Sequence, residues 1–136
     1  MTSIEEHLKI VDELEEDINE KISRNILDKR QKIIGFAASE ASTNLFAVFL
    51  HKINLIESGF NVNHKFFASF ERASEKFSYS FPSRGEILQK LVNQEKFRDL
   101  LCYGKSKEDG VVKEAVRNYF ELKGLINSRL KEIENG

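Results

Sequence analysis

Cysteine and proline are scarce in this chain of 136 residues, which contains one of each. The lone Cys102 cannot form a disulfide within the chain, and no group of cysteines and histidines has the spacing of a zinc site. With so little proline and few alternations of apolar and polar residues, the sequence favours helices over strands. A glycine-rich phosphate loop is also lacking. We therefore expect no metal site and no cofactor.

The chain also lacks an excess of charge of one sign. Its 21 Lys and Arg residues balance 22 Asp and Glu residues, and the formal net charge is −1. No global basic field attracts nucleic acid, so any binding of RNA must be local. The N-terminal segment MTSIEEHLK is acidic and polar, so we expect no signal peptide.

No long, unbroken hydrophobic run is present. The most apolar segment, residues 33–50, contains Glu40, Asn44 and several hydroxyl groups, which predicts a buried helix rather than a membrane span. The composition, 40% hydrophobic and 32% charged, is that of an ordinary globular protein. We predict a cytoplasmic protein that does not enter a membrane.

Helical periodicity runs through most of the sequence. We predict an all-α, up-and-down bundle of about five helices that forms one domain, residues 1–136. The helices are predicted over about residues 3–28, 31–57, 64–76, 83–102 and 111–133. The boundary between the first two is weakly marked and fits either one bent helix or a tight hairpin.

Several residues mark the predicted helix ends. Ser3 and Ser83 each precede a glutamate by three residues, a spacing that predicts two capping boxes. Asn63 is expected to cap the third helix. Ser58–Gly59 and Gly104 are expected to end the second and fourth helices, because glycine commonly follows a helix C-terminus.

The predicted core rests on the second and third helices. In the second helix, the residues expected to be buried are Ile33, Ile34, Phe36, Ala37, Ala41, Leu45, Phe49, Ile53 and Ile56. In the third, Phe66, Phe70, Ala73 and Phe77 fall on one helical stripe, and Phe67 lies off it. The same aromatic segment contains basic residues and would suit stacking of single-stranded bases, but the spacing favours a core role.

The segment FRDLLCYG, residues 97–104, resembles the signature of HEPN domains. These are small helical bundles found in RNA-cleaving toxins, in CRISPR-associated ribonucleases and beside minimal nucleotidyltransferases. Their signature is arginine, a polar residue, a few apolar residues and then histidine. Arg98 and Asp99 match this pattern, whereas Tyr103 stands in place of the histidine and Lys105 in place of a tyrosine found in one branch. The order of helices is similar over residues 1–133.

The resemblance implies a homodimer, because HEPN domains form their sites at a dimer seam. It further implies RNA or a nucleotide as ligand, or a nucleotidyltransferase-like partner in a toxin–antitoxin-like pair. The catalytic candidates are Arg98, Asp99 and Tyr103. The nucleotide-binding candidates are Arg98, Tyr103, Lys105 and His64.

The replaced histidine bears on catalysis. Cleavage of RNA without a metal needs a base that titrates near neutrality and a cation that stabilises the charge developing on the phosphate. Arg98 suits the second task, but tyrosine, with an ordinary pKa of about 10, is a poor base. We therefore predict a HEPN-like domain that binds RNA or a nucleotide without cleaving it.

Two alternatives remain open. The first is a metal-independent ribonuclease that uses Arg98 with an unconventional partner. The second is a helical scaffold without nucleotide chemistry, in which each candidate has a structural role. Arg98 would then be a charge favoured at a helix C-terminus, Tyr103 would close its helix over the core, and Cys102 would be a small buried residue.

Overall fold

Five α-helices and two short 3-10 helices form the secondary structure in the computed structural model, which describes residues 3–57 and 59–136. The α-helices are α1 (Ile4–Ser23), α2 (Gln31–Lys52), α3 (Phe70–Lys76), α4 (Arg84–Cys102) and α5 (Asp109–Asn135). The 3-10 helices are Leu27–Lys29 and His64–Phe67. The predicted all-α bundle of about five helices is confirmed.

The four long helices are antiparallel in chain order. His7, early in α1, contacts Asn44 in the second half of α2. Arg98, late in α4, contacts Glu40 of α2. Lys90 of α4 pairs with Glu121 in the middle of α5. The chain therefore runs up and down through α1, α2, α4 and α5, and α1 and α2 form a hairpin rather than one bent helix.

Aromatic side chains fill one end of the core around Phe46 of α2. Its ring packs edge to face against the ring of Phe77 at a centroid distance of 5.1 Å and against that of Phe67 at 5.9 Å. Phe67, predicted to lie off the buried stripe, is fully buried, whereas Phe70 is exposed. The predicted buried stripe was wrong at these positions because the third helix is not continuous. Ser69 caps a new helix, α3, so the residues before and after Ser69 do not follow one helical periodicity.

The helix starts match two of the predicted caps. The Ser3 hydroxyl accepts the backbone N–H of Glu6, and the Asn63 side chain accepts that of Lys65. The capping box at Ser83 was wrong: Ser83 has a left-handed backbone, φ 58°, and its side chain makes no capping hydrogen bond.

The first two helices end earlier than predicted. Asn25 and Asn54 take left-handed conformations, φ 55° and 60°, just beyond α1 and α2. Asparagine tolerates this conformation better than most residues, and it ends the helical run there. Gly59 lies beyond the end of α2, with a φ of 93°, and Ser58 lies outside the described residues. Gly104, φ 75°, follows the end of α4 as predicted.

The second helix lies at the centre of the bundle. It is long and apolar enough to cross a membrane, but 78% of its most apolar window is buried inside the protein, as in the core helix of a soluble protein. Among the residues predicted to be buried, Ile33 and Phe36 are instead exposed. Both lie on the side of α2 that contains Glu40, beside the C-terminal part of α4.

Candidate functional site

A close crossing of α2 and α4 positions the candidate site. A Cβ atom added to Gly35 would lie 2.7 Å from Cβ of Leu101 and 3.2 Å from Sγ of Cys102, so glycine permits the two helices to approach. Because the helices are antiparallel, the next turn of α2 faces the preceding turn of α4. That register brings Ser39 and Glu40 to Arg98.

Arg98 is anchored on α2. Its Nη1 donates to a carboxylate oxygen of Glu40 at 2.8 Å and to the hydroxyl of Ser39 at 3.2 Å. The guanidinium carbon lies 5.2 Å from the centre of the Phe36 ring, within the range of a cation–π contact. Only 12% of the arginine side chain is exposed. The guanidinium therefore crosses to the neighbouring helix and is not a simple charge at the end of α4.

Part of this guanidinium has no partner. Nε is buried and makes no hydrogen bond to any residue in the described parts of the chain. A buried N–H without an acceptor costs free energy. Nε and Nη2 together form one edge of the planar fork that matches two oxygens of a phosphate or carboxylate.

His64 and Glu95 form a second polar pair, and Glu95 lies on the same face of α4 as Arg98. Nδ1 of His64 lies 2.6 Å from one Glu95 oxygen and 3.0 Å from the other. Burial raises the pKa of Glu95, while the hydrogen bond and charge of His64 lower it. Asp99 and Arg98 also act on this carboxyl group, the first raising and the second lowering its pKa. We call Ser39, Glu40, His64, Glu95 and Arg98 the Arg98 cluster.

The remaining candidates lie outside this cluster. Tyr103 is the C-terminal cap of α4 and is 64% exposed, so it does not close the helix over the core. Asp99 and Lys105 are also exposed. Burial raises the pKa of the Cys102 thiol, whose Sγ contacts the backbone oxygen of Lys32 at 3.5 Å. Cys102 therefore has the surroundings of a structural residue rather than of a nucleophile.

A pocket of about 330 Å³ lies between the start of α2 and the loop that follows α4. Its lining includes Lys29, Arg30, Lys32, Gly104 and Ser106. Nζ of Lys32 donates to the backbone oxygens of Cys102 and Gly104 at 3.2 and 3.4 Å. Lys29, Arg30 and Lys32 thus form a basic group at the start of α2, and Asp28 also lines the pocket.

Sequence reasoning identified Arg98 and His64 but missed their partners. Glu95 lies three residues before Arg98, and this spacing places the two on one face of a helix. Glu40 is the only acid within the apolar segment 33–50, which was a signal that it needs a partner. The register between α2 and α4 depends on tertiary packing, so the sequence of neither helix alone predicts it.

The protein is an all-α bundle in which a partly buried arginine of α4, Arg98, pairs with a glutamate of α2, Glu40. Comparison of the chain with protein-family models, with curated proteins and with solved structures finds no match.

Proposed function

We propose that the protein binds RNA or a nucleotide at the Arg98 cluster and acts in the cytoplasm as a HEPN-like homodimer. The observation that supports this best is Nε of Arg98, which is buried and unpartnered within the described residues. A phosphate oxygen that displaced the side chains covering Nε would satisfy it while Glu40 and Ser39 continue to hold Nη1. The basic residues of the pocket at the start of α2 would contact neighbouring phosphates.

Glu40 makes this proposal sharply testable. Its carboxylate neutralises part of the Arg98 charge, so it opposes the approach of a phosphate. Glu40→Gln keeps the size of the side chain and removes that opposing charge, so we expect tighter binding. Arg98→Lys keeps the positive charge but loses the planar fork, so we expect weaker binding.

The assay is fluorescence anisotropy with a labelled, mixed-sequence single-stranded RNA. We expect Arg98→Lys to weaken binding about tenfold, which corresponds to roughly 1.4 kcal/mol, and Glu40→Gln to strengthen it. Arg117→Ala is the matched control, because Arg117 is an exposed arginine on α5 that pairs with Glu114. Equal affinities for all four proteins, or no binding by any, would exclude the Arg98 cluster as the site.

Loss of stability does not separate this function from a scaffold role. Arg98 joins α2 to α4, so its removal leaves a partly buried carboxylate without a partner and destabilises the fold under either hypothesis. The binding affinities of the variants are therefore compared at equal concentrations of folded protein, which circular dichroism determines.

The exposed apolar residues support a homodimer. Of the nine large hydrophobic side chains that are exposed in the described parts of the chain, four lie on the first turns of α2 or at the end of α4. They are Ile33, Phe36, Leu100 and Tyr103. Light scattering after size exclusion should give twice the mass of 15.7 kDa, and Phe36→Glu should return the monomer. A wild-type monomer at all concentrations would leave a nucleotidyltransferase-like protein as the proposed partner of this surface.

A second candidate function is metal-independent cleavage of RNA, and the His64–Glu95 pair favours it. A carboxylate that accepts the Nδ1 proton orients the imidazole and leaves Nε2 free to take a proton. His64 would then take the role of base for which Tyr103 is unsuited. It would be the unconventional partner of Arg98.

In this reaction, Nε2 of His64 would remove the proton of a ribose 2′-hydroxyl. The 2′ oxygen would attack the adjacent phosphorus, and the bond from phosphorus to the 5′ oxygen would break. The leaving oxygen takes a proton from water, and the products are a 2′,3′-cyclic phosphate and a 5′-hydroxyl end. Arg98 would stabilise the negative charge on the phosphate oxygens.

The test is incubation of RNA with purified protein in EDTA. Cleavage by the wild type that is lost in both His64→Gln and Arg98→Lys would support the nuclease. Cleavage that persists in His64→Gln would reject His64 as the base. Binding without cleavage would leave the primary proposal intact, and Tyr103→His would then show whether a histidine at that position confers activity.

A further inference from the structure

Two histidines, the buried His7 and the half-buried His51, face each other between α1 and α2, away from the Arg98 cluster. The ring centres of His7 and His51 are 5.7 Å apart, and the rings are tilted by 33°. His7 is only 4% exposed. Nε2 of each ring is buried and has no hydrogen-bond partner among the described residues.

The hydrogen bonds around His7 define its tautomer. Its Nδ1 lies 2.7 Å from the side-chain oxygen of Asn44, whose amide nitrogen donates to the backbone oxygen of Glu40 at 2.7 Å. Asn44 therefore presents its oxygen, so Nδ1 of His7 carries the proton and donates. The neutral ring leaves Nε2 as a bare lone pair, and a cationic ring would bury an N–H without an acceptor.

Within residues 3–57 and 59–136, neither His7 nor His51 forms an ion pair that would compensate a proton. Burial lowers the pKa of His51, the charge of His7 lowers it further, and the backbone of Ile56 opposes both. Among the described residues, the neutral side chain of Asn44 on α2 contacts His7 and the backbone of Ile56 contacts His51, while the carboxylate of Glu40 is paired with Arg98.

The first helix is suited to local opening. Its buried residues are His7, Val11, Glu15, Ile18 and Lys21. Only two of these five are apolar, and Leu8 and Ile10 are exposed. A segment with few buried apolar contacts opens at a lower free energy than the rest of a fold. In the first half of α1, the His7 contact is therefore a large part of what holds the helix on α2.

We propose that His7 and His51 form a proton-sensitive latch that holds the first half of α1 on α2 at neutral pH and releases it below roughly pH 6. Release lets water solvate the protonated imidazoles and uncovers the second half of α2. Because the folded state binds fewer protons than the open state, the closed form is fully stable above the ordinary histidine pKa and loses stability as the pH falls below it.

The experiment is hydrogen exchange of the full chain at pH 7.5 and 5.5, corrected for intrinsic exchange. A histidine that takes its proton only in the open state increases the open population about tenfold over this interval. We expect this increase for the amides of residues 8–14 and not for those of residues 87–95 in α4.

The variant His7→Gln/His51→Gln should abolish the increase at residues 8–14. His64→Gln is the control, because it removes the third histidine of the chain and should leave the increase in place. If the α1 amides of the wild type exchange at the same corrected rate at both pH values, the latch is refuted. This result does not require that the double variant folds. An equal increase in α1 and α4 would also refute it, since that result indicates global acid unfolding.

Discussion

Replacement of Gly35 by alanine tests the helix crossing on which the candidate site depends. The new Cβ would lie 2.7 Å from Cβ of Leu101, about 1 Å closer than carbon atoms ordinarily approach. Because a Cβ atom is fixed to the backbone, α2 and α4 must separate. Overpacking of this kind costs about 1–3 kcal/mol, while the higher helix propensity of alanine returns up to about 1 kcal/mol. We expect a net loss of up to about 2 kcal/mol in the free energy of unfolding.

Gly124→Ala is the matched control for this variant. Gly124 lies inside α5 and has no atom within 4 Å of an added Cβ, so only the propensity gain applies, about 0.5–1 kcal/mol. Urea denaturation followed by circular dichroism should therefore shift the two midpoints in opposite directions. If Gly35→Ala is as stable as Gly124→Ala, the close approach of α2 to α4 is wrong, and so is the register that brings Glu40 to Arg98.

Three further predictions concern other buried groups and the dimer surface. Tyr119→Phe should cost about 1–3 kcal/mol of unfolding free energy, because the buried hydroxyl donates to Glu15; an unchanged urea midpoint would contradict this hydrogen bond. Cys102, with its pKa raised by burial, should react with iodoacetamide more slowly than free cysteine at the same pH, and urea should restore the rate; fast reaction in the native protein would contradict the burial. Leu100→Glu should weaken the proposed homodimer, as measured by sedimentation, and a dimer that persists in this variant would place its interface elsewhere.

Most of the secondary structure could be predicted because the helical period repeats over long segments. The burial of some residues was predicted wrongly because tertiary contacts, or breaks in the helical periodicity, determine their environment. Phe70 matched the stripe of a continuous helix, but the cap at Ser69 starts a new helix and turns Phe70 outward. Phe36 has an apolar side chain in an apolar helix, yet it lies beside Arg98 and is exposed.

The candidate site could be predicted only in part. The segment that contains Arg98 is visible in the sequence because arginine, acid and apolar residues occur in a short pattern. The contacts of Arg98 with Glu40 and of His64 with Glu95 span 58 and 31 residues, and no local pattern encodes them. Tyr103 drew attention by its place in the pattern, but the structure leaves it exposed and outside the cluster.

The most direct test of the proposed binding site is photo-crosslinking of the protein to single-stranded RNA that contains 4-thiouridine, followed by peptide mass spectrometry. The account predicts crosslinks in residues 29–40 and 95–105. Arg98→Lys should reduce these crosslinks, and Arg117→Ala should not. Crosslinks confined to the aromatic segment of residues 60–81, or equally frequent in the wild type and Arg98→Lys, would contradict the assignment of the Arg98 cluster.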